Sequence, residues 1–227
     1  KKRVHVIKGE FPFEKHFEEI IEGYDAVYQL ISATVPSVND PITDLEAVVR
    51  PTVSLMDACA KKQVRLIFFS SGGTVYGLPQ HIPMKETHPT MPISSYGIHK
   101  LSIEKYLEFY HRTFDLSYVV LRISNPYGKY QRAFSNQGLI PKILGNHLTG
   151  AVTEIWGDGS AIRDYIYVKD VCDAAEKILH YQGAFQVFNI GAGVGYSVDD
   201  VVEVLVLNGP GLAVQHHEAG VVPPLGG

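Results

Sequence analysis

Residues 64–77 read VRLIFFSSGGTVYG, and this stretch sets the fold. VRLIFFSS is a continuous apolar run ending in small hydroxyl-bearing residues, which predicts a central strand covered on both faces. The same kind of run recurs as DAVYQLIS, LSYVVLRIS and AFQVFNIG. Between these runs the pattern turns helical: FEKHFEEIIEGY, ending near Gly23, then DLEAVVRPTVSLMDACAKKQ with a proline near its start, then residues 94–113. Strand and helix alternate, which predicts a parallel sheet with helices on both faces. KRVHVIKG (residues 2–9) alternates like a further strand.

After Arg122 the rhythm changes. Residues 123–170 are rich in Gly, Asn and Tyr, with a helix over AFSNQGLIPKIL and strands at EIWG and DYIYV. This predicts a smaller second lobe, made of residues 123–183 and 206–227, beside a main domain of residues 1–122 and 184–205. SVDDVVEVLVL reads as a helix with Ser197 as its N-cap. The tail NGPGLAVQHHEAGVVPPLGG is rich in Gly and Pro and shows no periodicity. In open parallel sheets ligands bind outside the carboxyl ends of the strands. Three such ends here, SSGGTVYG, SNPYG and NIGAGVGYS, carry polar and glycine residues that a core does not need.

The bulk properties narrow the function. The 227 residues are 45% hydrophobic and 19% charged with a net charge of −4, so no basic footprint for nucleic acid appears. No apolar run approaches the ~18 residues of a membrane span, and the N-terminus lacks a signal-peptide core. The two cysteines, Cys59 and Cys172, each fall in a helical pattern and read as free thiols of a cytoplasmic protein. His216, His217 and Glu218 do not have metal-ligand spacing, so no metal site is expected.

The chemistry centres on SSYGIHK. Tyr96 and Lys100 stand four apart and share a helix face that continues through the apolar Ile103 and Leu107, so the pair points inward. A tyrosine near pKa 10 is a poor base at neutral pH. A nearby cation favours the phenolate and brings it toward the range of general acid–base catalysis.

SSGGTVYG, SSYGIHK, LRISNPYG, GDGSAIRDYIYVKDV and FNIGAGVGYS, in this order over residues 1–205, resemble the extended short-chain dehydrogenase/reductases. Within these the likeness is to the NAD-dependent nucleotide-sugar epimerases and dehydratases. The resemblance implies a Rossmann-type doubly wound sheet with a small α/β substrate lobe, NAD as cofactor and a UDP-sugar or other nucleotide sugar as substrate. It also implies a homodimer built through the helices at 44–62 and 94–113. Tyr96 would be the acid–base residue, and Lys100 would lower its pKa and hold the nicotinamide ribose. Glu10 and Phe11 would lie by the adenine; Leu30, Ile31, Ser32, Thr34, Ser70 and Ile123 would line the cofactor. Asn125, Leu139, Ile155, Trp156 and Arg163 would meet the substrate, Arg163 through the planar fork that suits a diphosphate.

Two departures from the pattern matter. Gly72 stands where many such epimerases carry Ser or Thr, so the hydroxyl toward the reacting oxygen falls to Thr74 or Ser71, with Thr74 preferred. The dehydratases place an Asp-Glu pair just after that position, where this chain has Gly73 and Thr74, which disfavours dehydration. The family also opens on a strand and a glycine-rich turn against the pyrophosphate. Before Gly72 this chain has only Gly9 and Gly23. It therefore reads as lacking the first βαβ unit and as stopping short of the complete sugar lobe. GAGVG (191–195) joins a strand to a helix but lacks the fingerprint's spacing, so it is expected to be a loop on the substrate side. A one-way reductase of the same fold and a catalytically weak binding protein remain as alternative readings.

Overall fold

The computed structural model describes residues 4–11, 16–33, 40–132, 138–208 and 214–217. The chain divides into two compact units, residues 1–123 with 178–189, and residues 124–177 with 190–227.

The first unit holds a four-stranded sheet in the order β1-β2-β3-β7, from β1 (Ala26–Gln29), β2 (Arg65–Ser71), β3 (Tyr118–Ile123) and β7 (Val187–Ile190). β2 runs parallel to both β1 and β3. Every residue of β3 is buried, as are Leu66, Ile67 and Phe68 of β2, so these strands are covered on both faces as the apolar runs predict. Helices α3 (Arg50–Lys62) and α4 (Ser95–Phe114) supply Leu55, Met56, Cys59, Ile103 and Leu107 to the same core. Each such side chain contributes about 1.5–3 kcal/mol by leaving water.

The helix ends follow from local chemistry. Ser94 caps α4, its Oγ accepting from Gly97 N at 3.2 Å, and Asp115 ends it in the left-handed region at φ 54°. A short α1 (Phe17–Ile20) precedes β1. α2 (Pro41–Asp44) starts with Asp40 accepting from Thr43 N at 3.0 Å and Pro41 in its first turn. It runs into a π turn, Leu45–Val49, and then α3. Pro51 explains the widening, since its ring lacks an N–H and would strike the carbonyl of Ala47 in a regular helix.

One predicted strand does not form. Residues 4–10 have no regular structure, and Val4, Val6 and Ile7 are 70–82% exposed. Alternation makes a strand only where a neighbour takes up the backbone hydrogen bonds, and among the described residues none lies beside it.

The second unit contains β4 (Asn125–Tyr127), α5 (Leu139–Thr149), β5 (Thr153–Trp156), β6 (Arg163–Tyr167), most of α6 (Val168–Leu179), β8 (Gly195–Tyr196), α7 (Val198–Asn208) and β9 (Val214–His217). β6 pairs parallel with β4 and antiparallel with β8, while β5 pairs with β9. The return to the first unit is shorter than the expected 184–205. β8 is tied to β6, α7 packs on α5, and Asp199 N bonds Gly159 O at 3.2 Å. Ser197 caps α7 as predicted: its Oγ accepts from Asp200 N at 3.0 Å, and Asp200 Oδ2 accepts from Ser197 N at 2.8 Å. β9 lies in the tail expected to be irregular. No helix among the described residues is long and apolar enough to cross a membrane. Cys59 is buried, Cys172 exposed, and both are free.

Candidate active site

In the first unit, the capped start of α4 presents Tyr96 and Lys100. Lys100 is 5% exposed and donates to Phe69 O on β2 at 2.9 Å. Its Nζ lies 5.6 Å from the Tyr96 ring centroid and 4.9 Å from that of Phe68. Burial brings the amine down to about 8, with Asp44 and then Glu104 opposing, so it is still mostly charged at neutral pH. Burial pushes the Tyr96 phenol up, a hydrogen bond with Ser32 pulls it back, and the Asp44 charge pushes it further up. The depression of Tyr96 expected from Lys100 is absent from this balance, in which burial is the largest influence, and the amine is directed at Phe69 O.

The glycine turn after β2 is held tightly. Gly72 N donates to Ile123 O at 2.7 Å, and a Cβ at Gly72 would meet Arg122 O at 3.0 Å and Ile123 O at 3.2 Å. The backbone of β3 thus leaves little room for a side chain where a hydroxyl was looked for. Thr74 Oγ1 is buried with no hydrogen-bond partner, and the Thr74 backbone packs on Gly97, where a Cβ would come within 2.8 Å of its carbonyl. Ser70 is committed elsewhere: its hydroxyl donates to Glu104 Oε1 at 2.5 Å. Glu104 in turn takes Arg122 Nη2 at 2.6 Å, while Arg122 Nη1 donates to Tyr76 Oη at 2.8 Å. Tyr76 Oη donates to Asn189 Oδ1 at 2.6 Å. This chain of charge-assisted bonds fixes the floor beneath α4.

In the second unit, a cavity of about 280 Å³ is lined by Asn125, Tyr127, Leu139, Pro141, Arg163 and Tyr165 among others. Asn125 Nδ2 donates to Asp164 O at 2.9 Å, and the exposed Arg163 donates from Nη1 to Ile162 O at 2.7 Å. Gly138, at φ +86°, and the first residues of α5 open onto the same cavity, and no side chain caps that helix. Helix amides and a guanidinium at one cavity are suited to a phosphate group. The GAGVG loop is different. Asp164 accepts from Ala192 N at 2.8 Å, Gly193 N at 2.9 Å and Ser124 Oγ at 3.1 Å. The loop amides that could cradle an anion are already taken by a carboxylate of the chain itself.

A sequence model described as the NAD dependent epimerase/dehydratase family matches residues 1–191. The chain belongs to this family. It is 37% identical over 166 residues to the UDP-glucose 4-epimerase of Mycolicibacterium smegmatis, covering 73% of this chain and 53% of that one. It is 38% identical over 141 residues to the dTDP-4-dehydro-6-deoxyglucose reductase of Escherichia coli, covering 62% and 44%. The crystal structure of a UDP-glucose 4-epimerase with UDP-glucose from Thermotoga maritima superposes with a TM-score of 0.85 at 32% identity, covering 93% and 71%. The chain spans about half the length of the curated relatives it matches.

Within an NAD-dependent family fold, the remaining expected residues can be placed. Leu30 and Ile31 follow β1 and are 58% and 44% exposed; Ser32 is exposed and Ser71 half-buried at the end of β2. With Tyr96, Lys100 and the unpartnered Gln29 Oε1 and Thr74 Oγ1, these could hold the nicotinamide end of the dinucleotide. Ile123 is buried at the end of β3, and its carbonyl is taken by Gly72 N. Glu10 is exposed, and Phe11 packs its ring on Phe17 at 5.5 Å, so the aromatic side chain joins the core. Thr34 lies outside the described residues.

On β5 the strand alternation separates the pair named from sequence. Ile155 is 4% exposed and serves the packing of the second unit, Trp156 is 43% exposed, and neither lines the cavity. His216 and His217 belong to β9, whose backbone pairs with Ile155 and Trp156; Glu218 lies outside the described residues. The sequence reading missed Tyr127 and Tyr165. Tyr165 was within reach, because it stands two residues from Arg163 in a strand and so on the same face.

Proposed function

We propose that this chain is the major part of an NAD-dependent nucleotide-sugar 4-epimerase acting on a UDP-sugar. The observation that carries this reading is the pairing of half-buried Tyr96 with buried Lys100 on α4, beside the unpartnered Thr74 hydroxyl. Leu30, Ile31, Ser32 and Ser71 would hold NAD, which would supply the hydride acceptor and donor for sugar C4. Tyr96 takes the proton from the 4-hydroxyl as the sugar is oxidised and gives it back on reduction. Lys100 supplies the positive charge that favours the phenolate during that transfer, and it is the residue that would hold the ribose. Thr74 Oγ1 donates to the 4-oxygen in place of a hydroxyl at Gly72. In the second unit, Arg163, Asn125 and the start of α5 hold the diphosphate. No carboxylate stands at Gly73 or Thr74 to assist loss of water, which speaks against dehydration.

The likeness to a 4-keto-sugar reductase supports one second reading, a net reduction. The two differ in cofactor turnover. The protein incubated with UDP-galactose and no added nicotinamide should yield UDP-glucose without accumulating NADH. Tyr96→Phe should lower that turnover by about 10²–10⁴-fold, and Thr74→Val by less. Conversion only with stoichiometric NAD(P)H would replace epimerisation by reduction, and no conversion of any UDP-sugar would remove the reading.

The α4 face bearing Tyr106, Phe109 and Phe114, each 45–52% exposed, supports the homodimer implied by the helices at 44–62 and 94–113. Two free cysteines fit a cytoplasmic setting.

A further inference from the structure

The reaction proposed above gives no part to GAGVG (191–195), yet this loop seats a charge. The amides of Ala192 and Gly193 donate to one carboxylate, at 2.8 Å to Asp164 Oδ1 and 2.9 Å to Oδ2, the arrangement of an anion-binding nest. Glycine at 191 permits the approach, since a Cβ there would meet Asp164 Oδ2 at 2.5 Å. The third bond on the carboxylate comes from Ser124 Oγ at 3.1 Å, and the Asp164 carbonyl accepts from Asn125 Nδ2 at 2.9 Å. One residue of β6 therefore holds two successive residues of SNPYG and two successive amides of the loop. Its side chain faces away from the second-unit cavity, because Arg163 and Tyr165 on either side of it line that cavity and neighbours in a strand point to opposite faces. The three donors to the carboxylate are neutral groups, so its charge is met without drawing on Arg163. An asparagine in its place would turn its NH2 against one of these donors.

We infer that Asp164 is a positioning residue: seated on the GAGVG amides, it fixes the SNPYG turn and sets the Asn125 amide for the diphosphate of the substrate. This role rests on the reading of the second-unit cavity as a nucleotide-sugar site. Asp164 is not among the residues that line the cavity, whereas Asn125 is, so Asp164 acts through Asn125. The bond from Asn125 Nδ2 to Asp164 O uses one amide hydrogen and orients the group, which leaves the second hydrogen and Oδ1 for a ligand. Without the carboxylate, Ser124 Oγ and the two loop amides lose their acceptor, and turn and loop no longer share an anchor.

The test uses the whole protein, with UDP as the probe in isothermal titration calorimetry. In Asp164→Asn the Kd for UDP should rise about tenfold, the equivalent of one hydrogen bond to a charged group. The double variant with Asn125→Ala should bind no more weakly than Asn125→Ala alone, since nothing is left to position. Additive losses, or an unchanged Kd in Asp164→Asn, overturn the proposal. A second readout needs no ligand. The Asn125 side-chain ¹H–¹⁵N signals, assigned by their loss in Asn125→Ala, should show a lower heteronuclear NOE in Asp164→Asn, because the amide moves more freely. An unchanged NOE in the folded variant overturns the proposal. If Asp164→Asn does not fold, Ser124→Ala removes one bond from the same carboxylate and should lower the NOE and weaken UDP binding by a smaller factor; no change in either overturns it. A parent that binds no UDP removes the nucleotide-sugar reading, while UDP binding with an unmoved NOE removes only the role of Asp164.

Discussion

Lys100 keeps its charge where burial disfavours it. The folded protein releases this proton near 8, against an ordinary value of 10.5. Between those values the unfolded chain binds more protons than the folded one, so this group's contribution to stability rises with pH across that window. Below about 8 both states are charged and the burial cost is present in full. Lys100→Met should therefore be more stable than the parent at pH 7, on the order of a few kcal/mol, and the gap should shrink toward pH 10. Urea midpoints at the two pH values check this, and a gap that is constant with pH would contradict it. A stabilising change that abolishes turnover is what a residue kept for chemistry predicts. Tyr96 and Lys100 were legible in the sequence because a spacing of four on an apolar face has one geometric meaning. Asp44 was not. An acid four residues after Asp40 at a helix start looks like a solvated first turn, and only the packing of α2 on α4 shows it to be buried.

Among the elements, the segment between β2 and α4 is pinned by one imidazole. Gln80 N donates to His88 Nε2 at 3.0 Å, so Nδ1, 2.8 Å from Pro89 O, carries the hydrogen. His88 is 4% exposed, edge-on to Tyr76 and tilted against His81. The Nε2–H tautomer would set N–H against N–H at Gln80 and release the turn. Long-range ¹H–¹⁵N spectra at neutral pH should show the Nδ1–H tautomer for His88, and an Nε2–H signal would refute this reading. His88→Leu leaves the Gln80 amide unpaired and should cost about 1–3 kcal/mol by thermal denaturation. The strands of the first sheet were readable because β2 and β3 are apolar throughout. The irregular course of residues 4–10 was not, since pairing depends on a neighbour that a local pattern does not reveal. The commitment of Asp164 to the GAGVG amides was equally hidden, because the partners lie almost thirty residues apart.

At the scale of the whole molecule, the aromatic face of α4 sets the prediction on assembly. Phe109 lies 5.7 Å from Tyr110 and 6.0 Å from Phe114, ring to ring. Phe109→Asp should convert a dimer to a monomer in light scattering while the circular dichroism stays unchanged, and a parent that is already monomeric would disprove the interface. The network through Ser70, Glu104, Arg122 and Tyr76 also bears on how the protein is made. It ends at Asn189, which takes Tyr76 Oη and whose amide donates to Glu86 Oε1 at 2.8 Å. Chains emerge from the ribosome N-terminus first. Glu104 and Arg122 can therefore meet more than sixty residues before the acceptor for Tyr76 has been synthesised. Until Asn189 emerges, the Tyr76 hydroxyl lacks the acceptor it has in the finished fold, so this network is completed only when the last strand of the first unit arrives.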